Sequence, residues 1–158
     1  MIASLYHMIE QAGYHQPLHP VMVFIPSGCI AAACIFTILS RAARNPSYFQ
    51  SARHCMGLAL VFLPVAALTG YLDWQHYFAG AWLLAVKIKM GSAAVLLLVL
   101  VGVNTRRAKL NRASFKRITA YFLCLVLVFG IGYFGGELVY GSHAAQVNEL
   151  TQSNPAVQ

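Results

Sequence analysis

Four long apolar runs separated by short polar segments dominate the chain. They cover about residues 19–39, 54–72, 82–103 and 118–140, and each has roughly the 20 residues that a helix needs to cross the hydrocarbon of a bilayer. Ahead of them, Ile2, Leu5, Tyr6 and Ile9 recur at helical spacing with Glu10 and Gln11 on other sides. Residues 1–17 are therefore expected to form a short helix lying on the membrane surface. Pro17 and Pro20 bracket His19, and Pro20 suits the first turn of a helix. Pro26 and Pro64 fall inside the first two runs, where membrane helices tolerate them.

Small residues predict close approaches between helices. Ser27, Gly28 and Ala31 to Ala33 do so in the first run, and Gly132 and Gly136, with Gly130 and Gly135 nearby, give the fourth a GxxxG face. Short connections favour an up-down-up-down order. The expected fold is an all-α integral membrane protein, an antiparallel four-helix transmembrane bundle with a short N-terminal interfacial helix. It forms one membrane domain over residues 1–147, followed by a polar tail over 148–158.

Composition supports lipid as the solvent: 59% of the 158 residues are apolar, 9% are charged, and mean hydropathy is +0.63. The net charge of +7 invites a nucleic-acid partner. However, nine of the eleven basic residues lie in two segments, Arg41 to Arg53 and Arg106 to Arg117, between apolar runs. That distribution is the positive-inside pattern of a multi-pass membrane protein and excludes nucleic acid as the expected partner. It predicts that both termini lie on the outer side of the membrane, the first helix serving as an uncleaved insertion signal. Glu10, Asp73, Glu137 and Glu149 then share the outer side with His7, His15, His19, His76 and His143, leaving only His54 inside. Cys29, Cys34, Cys55 and Cys124 show no zinc or CxxC spacing and read as packing residues.

The candidate chemistry therefore gathers at one end. His19, His76 and His143 start or finish three different spans at one depth, and imidazole ligates haem iron and transition metals. Each could equally be a solvated interfacial histidine. Lys87 and Lys89 either carry their ammonium groups to the interface along their stems or face inward toward an acid or a bound anion. Inward, one of them could neutralise a haem propionate. Glu137, a carboxylate in the last turn of a span, either pairs with a cation or exchanges protons with a quinol headgroup. Asp73 either binds or caps a turn.

Three motifs carry a likeness to a known family: His19-Pro20 through Pro26-Ser27-Gly28, Thr69-Gly70-Tyr71-Leu72-Asp73-Trp74, and Gly135-Gly136-Glu137-Leu138-Val139-Tyr140 with His143. On these the chain resembles the bacterial four-helix membrane proteins grouped as domain-of-unknown-function 2231. The resemblance implies the fold and topology, and suggests cytochrome-like membrane proteins with haem bound through histidine. Many members carry a further histidine near the position of Phe24 and another early in the third span, where Lys87 and Lys89 stand here. The step through Gly141-Ser142 to His143 is one residue longer than usual.

Two functional expectations follow. One is a b-type electron-transfer protein or redox subunit linking the quinone pool to an outer-face carrier such as a periplasmic cytochrome. Haem b would be held by two of His19, His76 and His143. The other is a non-catalytic scaffold subunit of a larger respiratory or photosynthetic complex. A zinc or copper site at the same histidines, joined by Asp73 or Glu137, is a further option. Either main role is an accessory or electron-carrying one rather than that of a stand-alone enzyme.

Overall fold

The computed structural model describes residues 2–13, 17–77, 82, 84–105, 114–136 and 141. Five helices follow in order: α1 (Ile2–Gln11), α2 (Leu18–Ala42), α3 (Pro46–Tyr77), α4 (Leu84–Thr105) and α5 (Phe115–Gly136). Four of them, α2 to α5, are long and apolar enough to cross a membrane. They form a closed ring in which α2 packs on α3, α3 on α4, α4 on α5 and α5 back on α2, while α1 rests on α3. The all-α membrane bundle expected from the apolar runs is the fold.

The second span is the one whose limits change most. Residues 46–53, expected in a loop with Arg53, are the first two turns of α3. Asn45 and Pro46 explain the early start. The Ser47 N–H donates to the Asn45 side-chain oxygen at 2.9 Å, and proline at the first helical position gives up no needed donor. Arg44, at φ 51°, takes the left-handed turn that reverses the chain. Phe49 and Ala52, buried at 2% and 0% exposure, hold the added turns against the bundle.

Each spanning helix buries a row with a seven-residue repeat. On α3 the row is Ala52, Met56, Ala59, Leu63, Ala66, Gly70 and Asp73, in alternating steps of four and three. On α2 it is His19, Val23, Pro26, Ile30, Ala33 and Thr37; on α4 Val86, Lys89, Ala93, Leu96 and Leu100; on α5 Tyr121, Cys124, Val128, Ile131 and Gly135. Such rows are the seam of helices packed at small left-handed crossing angles. Small residues on α3 let α2 come close, and in lipid such packing is what draws helices together. Large side chains such as Phe24, Leu98 and Phe129 point out of the ring, at 76%, 72% and 71% exposure, as lipid-facing residues do.

Of the glycines expected to form a packing face on α5, Gly130 and Gly132 make no close approach to another helix, whereas Gly135 lies against Lys89 of α4. Gly132 is exposed, and a Cβ at Gly130 or Gly132 would meet nothing within 4 Å. The contacts of α5 run along the Tyr121 to Gly135 row, and Gly130 and Gly132 lie off that row. Gly28 on α2 is likewise open, and it is Ala33, at 0% exposure, that lies in the core. All four cysteines are free thiols; Cys34 and Cys124 lie in the core, and the Cys34 thiol points at the Tyr121 carbonyl oxygen at 3.5 Å.

Candidate functional site

The start of α2 poses a hydrogen-bonding problem that α3 solves. A helix leaves the N–H groups of its first turn without intrahelical partners. Pro17, at the cap position, has no side chain to accept them, and Pro20 removes one donor altogether. Asp73 of α3 takes two of the remaining N–H groups: Leu18 donates to its Oδ1 at 3.2 Å and His19 to its Oδ2 at 2.8 Å. A carboxylate here also faces the positive end of the helix dipole. Asp73, 7% exposed, is thus a cap supplied by another helix.

The same carboxylate holds α1. The Tyr6 hydroxyl donates to Asp73 Oδ1, and Tyr6 itself is 2% exposed. Its ring stacks on His76, with centroids 4.0 Å apart and planes 6° apart, while Tyr77 meets it edge-on at 5.9 Å. Glu10 approaches His76 Nε2 at 3.9 Å. Burial first, then the hydrogen bond to Asp73 and its charge, push the Tyr6 phenol well above its ordinary pKa. Helix α1 therefore docks on the bundle through a buried tyrosine.

His19 is held on a floor made by a glycine. Its Nδ1 lies 2.8 Å from the Ala66 carbonyl oxygen. A carbonyl can only accept, so Nδ1 carries the proton and a neutral ring keeps its lone pair on Nε2. A Cβ at Gly70 would come within 2.8 Å of Nδ1 and 3.0 Å of Cε1, so any larger residue would push the imidazole from this position. The His-Pro and Thr-Gly-x-x-Asp motifs are therefore two sides of one contact.

Lys89 completes the cluster. It occupies a seam position on α4 and is partly buried, whereas Lys87 is exposed. Its ammonium lies 3.2 Å from where a Cβ of Gly135 would stand, and within Coulombic range of both Asp73 and His19. Of the two readings open for the lysines, the inward one describes Lys89. Phe24, where relatives are expected to carry a histidine, points to the lipid side.

Of the residues singled out from the sequence, the fold brings His19, Asp73 and Lys89 together and turns His76 toward α1. Glu137 and His143 lie outside the described residues. Among the described residues, no group of three or more His, Cys, Asp or Glu is placed to hold a metal ion. The donor chemistry of His19 does fit an axial haem ligand, because metal-bound imidazoles ordinarily donate their other N–H to a carbonyl or carboxylate. His76 fits less well, because its Nε2 faces the Glu10 carboxylate at 3.9 Å. Tyr6 is the participant that sequence reasoning missed; its place on the apolar side of α1 was visible, but not that its hydroxyl would reach a carboxylate 67 residues away.

Fold and site define a four-helix membrane protein with a polar cluster at one end of the bundle. The family model described as a predicted membrane protein, domain-of-unknown-function 2231, matches residues 15–148, and the chain belongs to that family. No curated protein and no solved structure matches it.

Proposed function

We propose that the chain is an integral-membrane electron-transfer subunit of the b-type cytochrome kind, with its redox group at the His19 end of the bundle. The observation that carries this reading is the presentation of His19: Nδ1–H fixed on the Ala66 carbonyl, Nε2 left with the lone pair a metal requires. A bound haem b would supply one-electron chemistry. The chain's part is to hold and tune that group. Gly70 and Ala66 fix the imidazole, Lys89 offers a cation to a propionate, and Asp73 anchors the helix that carries His19. In this proposal His143 would be the other residue to hold the haem, and Glu137 would be the group to exchange protons with a quinol. The basic end faces the cytoplasm and both termini lie in the periplasm of the inner membrane, which alkaline-phosphatase fusions after Gln158 test through their activity. A periplasmic cytochrome or another redox subunit would take the electron.

The purified, detergent-solubilised chain should yield about one haem b per chain in a pyridine extract. A monodisperse, stably folded preparation without haem would overturn the proposal. In that case the reading as a non-catalytic scaffold subunit takes its place. One observation favours that alternative: Gly132 lies open on a face of α5 beside Tyr133, itself 71% exposed, where a helix of another subunit could seat. Co-purification of the unlabelled redox enzyme with a tagged, haem-free chain would be its signature.

A further inference from the structure

The opposite end of the bundle holds a cleft that the histidine cluster does not use. It lies between α3, α4 and α5 and measures about 550 Å³. Arg53, His54 and Gln50 line it from α3 and Tyr121 from α5, with Leu58 and Val103 supplying apolar wall. Asn104 also borders it, but its amide nitrogen is already committed to the Met56 and Leu100 carbonyls at 3.3 and 2.9 Å. That residue ties α4 to α3 and forms a wall rather than a donor.

The charge around this cleft is one-sided. Arg53 and Arg117 both lie within Coulombic range of the Tyr121 phenol, and Arg117 sits over the Phe49 ring at 5.8 Å. Among the described residues the acids are Glu10 and Asp73, both at the other end of the bundle. Arg53 in the lining and Arg117, four residues before Tyr121 on α5, thus put two guanidinium groups at this end of the bundle, with no carboxylate there among the described residues. The lining passes from cationic and hydrogen-bonding to apolar, which is the pattern of an amphiphile and not of a free ion.

We propose that this cleft binds the phosphate headgroup of an anionic phospholipid, with Arg53 as its main contact, Gln50, His54 and the Tyr121 hydroxyl as further donors, and Leu58 and Val103 against the first part of an acyl chain. Guanidinium suits phosphate because its planar fork can give two parallel hydrogen bonds. Basic pockets between helices at the cytoplasmic face are where such headgroups are held. The site is independent of any haem at the other end.

The experiment is native mass spectrometry of the full chain released from mixed phosphatidylglycerol and phosphatidylcholine micelles. Wild type should retain phosphatidylglycerol. Arg53→Gln should lower that retention about five- to tenfold. Arg44→Gln, which removes the same charge from an exposed turn outside the cleft, should change it less than about twofold. Equal losses in the two variants would show that the overall field of the basic segments is responsible, and would overturn the site. Because Arg53→Gln could disturb folding, Leu58→Trp provides a second variant that fills the apolar wall; it should also reduce retention, and unchanged retention would count against the cleft. Inorganic phosphate at millimolar concentration should not displace the lipid; displacement by it would identify a free-anion site and refute the lipid assignment.

Discussion

Removing the carboxylate of Asp73 is the perturbation that reaches furthest. It accepts from Tyr6, Leu18 and His19, so Asp73→Ala strips the cap of α2 and the anchor of α1 together. Loss of a helix cap costs about 1 kcal/mol, and a hydrogen bond from Tyr6 to a charged group contributes about 1.5–3 kcal/mol. The variant should therefore lose about 3 kcal/mol, less than a sum over three bonds because the freed groups lie near the interface and regain water. Tyr6→Phe removes one bond and should cost about 1.5–2 kcal/mol. Reversible unfolding in mixed micelles titrated with dodecyl sulfate measures both. In a double-mutant cycle the two changes should fall short of additivity by about 1.5 kcal/mol, since Asp73→Ala already removes the Tyr6 partner. Additivity within about 0.5 kcal/mol, or an Asp73→Ala variant as stable as wild type, would refute the latch.

Further outcomes follow from the same contacts. Tyr6, with its pKa raised above the ordinary 10.0, contributes stability that is present below about pH 10 and lost as pH rises beyond it, because the unfolded phenol ionises first. Thermal unfolding between pH 8 and 11 should show that decline, and Tyr6→Phe should flatten it. Gly70→Ala, placing a Cβ 2.8 Å from His19 Nδ1, should cost about 1–3 kcal/mol, read by the same unfolding titration. Gly135→Ala meets only the mobile tip of Lys89, at 3.2 Å, and should stay within about 0.5 kcal/mol of wild type. Met56→Ala opens a void at a fully buried seam position. Lipid already solvates apolar side chains, so the cavity and not the transfer term should dominate, at about 1–2 kcal/mol.

The bundle was legible in the sequence because lipid imposes a strong constraint: backbone groups must be satisfied within each segment, so a long apolar run is a helix. The added turns of α3 were not, since Arg53 and His54 interrupt the apolar run while the Asn45-Pro46 start lies further back. Gly130 and Gly132 of α5 misled because small residues mark where a helix could be approached, not from which side. The seven-residue rows would have chosen the other face, and they also place Lys89 inward and Lys87 outward. Gathering His19, His76 and Asp73 at one end needed only topology. Dividing their roles needed helix rotation and the docking of α1, which carries Tyr6 to Asp73 and occupies His76. The same contact explains why His-Pro and Thr-Gly-x-x-Asp occur together: a helix start with too few acceptors, a glycine floor, and a carboxylate one turn further on.

The central functional claim is that His19, and not His76, ligates a haem. Dithionite-reduced minus oxidised absorbance spectra of the purified wild type, His19→Ala and His76→Ala test it directly. The account predicts a b-type α band and Soret shift in wild type, their loss or displacement in His19→Ala, and their retention in His76→Ala. A wild-type chain with no such bands, or one whose bands survive His19→Ala unchanged, would contradict it.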